Sequence, residues 1–557
     1  MRPNAIILGV ALVAFSTSRT RAQLATWHGS DQDGGNFGNR VANLGDVDGD
    51  GIDDLGVSEP GYTTGSPSLR VGRVAVYSGG SFALIRTHEG TQDLERFGHR
   101  IARVGDVNSD GCSDYAVSAP FHDTSTPDSG MVVLYSGKTG SALWSVFGQG
   151  DELGNQLTGT GDVDADGIPD TLATTFPTAS AILYDRLGNV IDAVVGGSPD
   201  FGSSAARLSD VDRDGVDDFA IGESGYSDAA VGFECGIVWI YSGASRTLLY
   251  SVLGFAGSDG LGDIVTEIGD VDGDGWREIL ACGKYSNGNG TASGLIVVAS
   301  GKDGSTIKKT YGDTANCELG ASAAELGDLN HDGVPDYLVG ATQDSSDSSQ
   351  LGLVRIYSGR DHSALYEIAG SSLPGMYTYK VFGQSVAMGD FNGDGISDFV
   401  VGDPHYYAYA SRGHPGGVIG SADLYYGCPA YWENYGAGWP GNLGVPTFTS
   451  RDDPGVGQDV TLDVSNSAGT ATHGFVVLGF SDASILTSAG GTLLVSPALW
   501  IPLPIPVAGA TLAGTIPDDP ALYFFDVYLQ ALEADSHASA GISFTAGLHL
   551  RFGIDLP

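Results

Sequence analysis

Short apolar runs alternate with Gly- and Asp-rich turns along the chain, and no long stretch shows a helical apolar period. Runs such as Ala142-Leu143-Trp144-Ser145-Val146 are bounded by turn residues and predict strands. Up to residue 427 the runs recur with fixed landmarks. A Phe-Gly or Leu-Gly pair leads each repeat: Phe37-Gly38, Phe97-Gly98, Leu153-Gly154, Phe201-Gly202, Leu261-Gly262, Leu319-Gly320 and Phe382-Gly383. An acidic loop and an apolar strand follow, in places closed by a small-residue-Pro turn, as at Val117-Ser118-Ala119-Pro120 and Val401-Gly402-Asp403-Pro404. The next strand ends in Tyr-Ser-Gly, as at Tyr77, Tyr135, Tyr241 and Tyr357, and a short turn leads to a last strand.

That is four strands per repeat, here called A to D, with the acidic loop joining A to B. The loops start at Asp46, Asp106, Asp162, Asp210, Asp270, Asp328 and Asp390, at intervals of 60, 56, 48, 60, 58 and 62 residues. Such a period means a propeller or a solenoid. The seventh repeat stops at Tyr425-Tyr426-Gly427 without a D strand, and Gln23 to Gly29 reads as an orphan D strand before the first Phe-Gly. Pairing the two closes a ring and removes two sheet edges, a complementarity a solenoid does not need. The expected fold is therefore all-β: a seven-bladed β-propeller of four-stranded blades over 23–427, closed by its N-terminal strand. Repeat three is the shortest, with its B–C connection cut to Phe176–Ser180, and is expected to be the least regular blade.

Each acidic loop places carboxylates or amides at positions 1, 3, 5 and 9 and Gly at position 6. Hard oxygen donors at that spacing suit calcium, with position 7 giving a backbone carbonyl. The proposed ligands are Asp46, Asp48, Asp50 and Asp54; Asp106, Asn108, Asp110 and Asp114; Asp162, Asp164, Asp166 and Asp170; and Asp210, Asp212, Asp214 and Asp218. The remaining loops offer Asp270, Asp272, Asp274 and Glu278; Asp328, Asn330, Asp332 and Asp336; and Asp390, Asn392, Asp394 and Asp398. Up to seven structural Ca2+ ions are expected. Position 12 of the first loop is Val57, where an EF-hand needs a glutamate, so these are hairpin loops. Crowded carboxylates repel one another, so cation binding should belong to folding.

The Phe-Gly pairs, the Gly-Ala-Pro-like turns and the Asp-x-Asp-x-Asp-Gly-x-x-Asp loops resemble the FG-GAP repeats of integrin-alpha-type propellers across residues 23–427. Leu replaces Phe in repeats three, five and six. The resemblance implies that ligands bind on the face opposite the acidic loops, where B–C and D–A loops meet. The most unusual loops there carry Tyr377, Tyr379, His405, Tyr406, Tyr407 and Tyr409. Clustered tyrosines suit recognition of a protein or a glycan, and equally suit packing within a long loop.

Composition narrows the partners. The formal charge of −42 disfavours nucleic acid and anionic lipid. Arg2 followed by an apolar run from Ala5 to Phe15 and Thr20-Arg21-Ala22 reads as a secretory signal over 1–22, cut after Ala22, which places the mature chain outside the cell or at its surface without a membrane span. Five cysteines, Cys112, Cys235, Cys282, Cys317 and Cys428, show no zinc spacing; one or two bridges fit an exported protein, Cys282–Cys317 among them, and free buried thiols fit equally.

After Gly427 the period stops. Residues 428–557 hold apolar-rich runs at Val460–Val464, Gly474–Phe480, Leu522–Leu529 and Ile542–Phe552 between Gly/Pro turns, predicting a β-sandwich. Pro502-Leu503-Pro504-Ile505-Pro506 and Gly547-Leu548-His549-Leu550 resemble a C-terminal module of secreted repeat proteins from environmental bacteria. Trp432, Trp439 and Trp500 are candidates for sugar stacking there, against the commoner role of packing. No Gly-x-Ser-x-Gly elbow, His-Glu-x-x-His helix or phosphate loop occurs. The expectation is a non-catalytic adhesion or recognition protein; the alternatives are a polysaccharide-active hydrolase or lyase on the same scaffold, and a structural cell-envelope protein.

Overall fold

The computed structural model describes residues 23–29, 35–65, 68–330, 332–342, 352–370, 381–393, 395–404, 420–425, 427, 431–451, 453–455, 457–489, 491–516, 526–538 and 540–553. The leader assigned to 1–22 lies outside them. Every regular element among the described residues is a strand. Two compact units divide the chain at Gly427 and Cys428.

The first unit is seven antiparallel four-stranded sheets. Blade one runs Val41–Gly45, Asp54–Glu59, Arg73–Tyr77 and Leu84–Glu89 in spatial order. Blades two to six repeat this order from Ile101, Leu157, Phe201, Ile264 and Leu319. Blade seven holds Ser385–Gly389, Asp398–Asp403 and Ser421–Tyr425, and its fourth strand is Gln23–His28 from the start of the chain. Blade three is a complete sheet despite its short B–C connection, so brevity cost it no strand.

Burial follows position in the blade. Every residue of Asp54–Glu59, Asp114–Ala119, Asp218–Glu223, Asp336–Ala341 and Asp398–Asp403 is buried, because a B strand has a neighbour on each side and a blade against each face. The outermost D strands mix exposed and half-buried residues, as in Leu84–Glu89. The Phe-Gly landmark has a packing reason. Phe97 is 1% exposed and lies among Val74 and Val76 of blade one and Ile101, Tyr115 and Val117 of its own blade. The glycine before the C strand in every blade but the third, where Ala179 stands, lets this residue's backbone approach: a Cβ on Gly130 would sit 2.2 Å from the Leu153 nitrogen.

In the second unit, one sheet orders Tyr431–Tyr435, Gly547–Arg551, Asp526–Ala534, Thr472–Gly479 and Leu499–Ile505. A smaller sheet orders Phe448–Ser450, Asp459–Val464 and Ala510–Thr515. Phe448, Val460 and Leu462 meet Val476, Leu529, Leu548 and Leu550 in a shared core, which makes this a β-sandwich. Trp432 and Trp439 pack against buried clusters, whereas Trp500 is 47% exposed, beside Phe475 at a centroid distance of 6.1 Å.

The Cys282–Cys317 bridge does not form. Cys112, Cys235, Cys282 and Cys317 are all free and buried. Cys282 and Cys317 share one apolar cluster, and burial pushes the Cys282 thiol far above its ordinary range, so it packs as a small apolar side chain. Cys428 lies outside the described residues.

Candidate metal loops and the opposite face

Each acidic loop is curled by its own amides. In loop one, Oδ1 of Asp46 accepts from the amides of Gly49 at 2.6 Å and Asp50 at 3.1 Å, and Oδ2 accepts from Gly51 at 2.8 Å. Oδ1 of Asp50 accepts from the Ile52 amide at 2.9 Å. This winding puts Gly51 at φ 89°, a backbone region that explains the glycine at position 6. The same glycine conformation recurs at Gly111, Gly167, Gly215, Gly275, Gly333 and Gly395.

Position 9 has a part that spacing did not show. Oδ2 of Asp54 accepts from the Val47 amide at 2.8 Å, and Oδ1 from the amide of Gly79 in the Tyr-Ser-Gly turn at 2.9 Å. Asp114, Asp218, Asp336 and Asp398 repeat both bonds with Val107 and Gly137, Val211 and Gly243, Leu329 and Gly359, and Phe391 and Gly427. The acid therefore staples the A–B loop to the C–D turn within its blade. The Tyr-Ser-Gly landmark and the ninth position of the loop are two halves of one contact.

Among the described acids, oxygens from Asp270, Asp272, Asp274 and Glu278 lie within 4.8 Å of one another, so loop five gathers all four expected side chains. Three gather in loop one (Asp46, Asp48, Asp50), loop three (Asp162, Asp164, Asp170) and loop four (Asp210, Asp212, Asp218). Asp166 is engaged by the Arg186 guanidinium at 3.1 Å, and Asp214 accepts from the Ser242 hydroxyl at 3.5 Å. Loops two, six and seven carry an amide at position 3, Asn108, Asn330 and Asn392, and so hold fewer acids. Asp394 lies outside the described residues.

Two oxygens carry the test of whether a cation fits. Oδ1 of Asp170 and Oε1 of Glu278 are buried and have no hydrogen-bond partner. Tyr184-Asp185-Arg186 stands in blade three where other blades have Tyr-Ser-Gly, and Oδ1 of Asp170 accepts no amide from that turn. Burial, then the charges of Asp164 and Asp162, push the Asp170 carboxyl up to about 7. Burial and the Asp272, Asp270 and Asp274 charges do the same to Glu278, also to about 7. Burial raises Asp54, Asp114, Asp218 and Asp336 to about 6. An orphaned buried oxygen facing other acids needs a proton or a cation, and the donor set is one of hard oxygens. The residues present fit a divalent cation.

Tyr377, Tyr379, His405, Tyr406, Tyr407 and Tyr409, expected on the opposite face, lie outside the described residues. The inner strands there show contacts that sequence reasoning missed. Arg100 Nε donates to Gln156 Oε1 at 2.6 Å, and Gln156 Nε2 donates to the Ser203 carbonyl at 2.5 Å. Ser204 and Ser322 hydroxyls donate to the carbonyls of Gly262 and Gly383, each at 2.7 Å. Each links one blade to the next, from the third residue after the Phe-Gly or Leu-Gly phenylalanine or leucine. In blade two, buried Glu95 and His122 pair at 2.5 Å, with Gln92 on the other ring nitrogen at 3.1 Å.

Comparison with known proteins now bears on this geometry. The FG-GAP repeat model matches residues 382–419, and the FG-GAP-like repeat model matches 270–339. Integrin alpha-8 of Gallus gallus is 32% identical over 164 residues, 27% of this chain and 15% of that protein. The propeller is of the FG-GAP, integrin-alpha type. Integrin alpha-IIb of Mus musculus is 34% identical over 163 residues, 27% of this chain and 16% of that protein, so the chain covers a small part of these relatives' length. A solved structure of the V. cholerae biofilm matrix protein Bap1 aligns over 82% of this chain and 67% of its own, at 15% identity and a TM-score of 0.32, a likeness too loose to inform the fold. Among the described residues no helix is long and apolar enough to cross a membrane.

Proposed function

We propose that the protein is an extracellular adhesion or recognition protein whose propeller is loaded with calcium and binds a protein or glycan on the face opposite its acidic loops. The observation that carries the metal part is the buried, unpartnered oxygen of Glu278 inside a cluster of four acids. Asp170 supports it independently in loop three. Calcium suits loops of this kind because it accepts several carboxylate and carbonyl oxygens in flexible geometry, where magnesium demands a stricter shell. Each ion would be held by the acids of its loop and a backbone carbonyl at position 7, and its charge would relieve the repulsion that burial intensifies. The proposed role is structural, because the loops join strands within blades.

The recognition part rests on likeness to integrin alpha chains and on the division of labour between faces. One end of every blade is committed to acidic loops and the turns they grip, which leaves the other end for a partner. The test is immobilisation of the full chain and probing with a glycan array and with extracellular-matrix proteins, in calcium and in chelator. Saturable binding without turnover, lost on chelation, is expected. Release of shortened glycans would overturn the reading in favour of an enzyme.

A further inference from the structure

Loops four and five grip each other through a contact that no other pair of acidic loops has the residues to make. Trp276, at position 7 of loop five, donates its indole N–H to the carbonyl of Val211, position 2 of loop four, at 3.0 Å. Arg213, position 4 of loop four, lies over the Trp276 ring with its guanidinium carbon 3.4 Å from the centroid. The same guanidinium donates to the carbonyl of Gly275, position 6 of loop five, at 3.3 Å. Lys302 sits by the same ring, 4.6 Å away, and 3.8 Å from Asp274. Position 4 is Gly49, Ser109, Ala165, Gly273, His331 or Gly393 in the other loops, and position 7 is tryptophan in loop five alone.

Both ends of this clamp belong to candidate cation loops. Arg213 stands between Asp212 and Asp214, in a left-handed conformation of φ 61° that the loop's winding requires. Trp276 supplies the position whose carbonyl would meet the ion. A cation that fixes the winding of one loop fixes the residue that holds the other, so the second loop has less freedom left to lose on binding. Like-charge repulsion between two ions acts in the opposite sense, and is weakened by solvent around these exposed loops.

We infer that loops four and five load cations as a positively coupled pair, with Arg213 and Trp276 as the positioning residues that join them. This rests on the metal reading above and goes beyond it, since independent loops would satisfy that reading equally.

The test uses the full chain and terbium, an oxygen-seeking cation whose emission is sensitised by a nearby indole. The Trp276 indole lies against both loops, so its sensitised emission reports the pair in the wild type and loop five alone once loop four is disabled. Asp210→Asn with Asp212→Asn disables loop four, and coupling predicts that half-loading of loop five then needs about five-fold more terbium or above, the lower end of ordinary site-to-site coupling. Disabling loop one by Asp46→Asn with Asp48→Asn should leave that midpoint in place. Arg213→Ala should make loop five indifferent to the state of loop four. Arg213 is exposed and Ala165 holds the same backbone conformation in loop three, so this variant keeps the fold. An unchanged or tighter loop five in the loop-four variant overturns the inference. So does coupling that survives Arg213→Ala. Absence of any terbium binding would instead overturn the metal reading on which it stands.

Discussion

The Gly79 amide donates to Oδ1 of Asp54 at 2.9 Å, joining the turn between strands C and D to the loop between strands A and B of one blade. Asp54 is fully buried and its other oxygen holds the Val47 amide, so the residue has a structural duty with or without an ion. Asp54→Ala leaves both amides buried without a partner, at about 1–3 kcal/mol each. Thermal or denaturant melting should fall in calcium and in chelator alike. Asp48→Asn, which changes an exposed ligand position, should lower stability in calcium and make little difference in chelator. Equal behaviour of the two variants would contradict the division between staple and ligand.

Ring closure offers a second prediction. Trp27, on the N-terminal strand that completes blade seven, lies 5.3 Å from Tyr77 and donates its indole N–H to the Phe82 carbonyl at 3.3 Å. Trp27→Ala removes a half-buried aromatic and should destabilise the propeller by less than the roughly 3–5 kcal/mol of a fully buried one. Ala25→Pro strikes the same strand's ladder and should expose edges, so size-exclusion chromatography should show concentration-dependent association. A propeller that melts unchanged with either substitution would show that the closing strand is dispensable.

His88 sets a pH dependence. Its ring stacks on Tyr135 at 3.9 Å and its Nε2 meets the Tyr115 hydroxyl at 2.8 Å, and burial, with Arg86 beside it, lowers its pKa to about 4. The unfolded chain binds this proton near the ordinary value of about 6.5. The folded value is the lower one, so the neutral ring's contribution is complete above the ordinary value and is lost as pH falls towards about 4. In calcium-saturated buffer, stability of the wild type should drop more steeply across that window than stability of His88→Gln. Parallel curves would contradict the assignment.

How much of this was legible in the sequence depends on how local each contact is. The loops announced themselves because winding a chain around one point demands an oxygen acceptor at fixed positions and a glycine at position 6, as Asp46, Gly51 and the six counterparts of that glycine show. The closing strand was legible because blade seven ends at Tyr425 with nothing to pair. The double duty of Asp54 was not, since Gly79 comes to it only through the fold of the blade. The same holds for Arg100 on Gln156 and for Arg213 on Trp276, which lie 56 and 63 residues apart. Cys282 and Cys317 show the converse: a plausible pairing on paper, which the apolar surroundings of two buried thiols replace by packing.

The central claim is that divalent cations are part of what holds the propeller together. Its most direct test is the melting of the full chain before and after chelation, with metal content measured to verify removal. Several calcium ions per chain and a markedly lower melting temperature after their removal, restored by adding calcium back, are the predicted result. Unchanged melting after verified removal would contradict it.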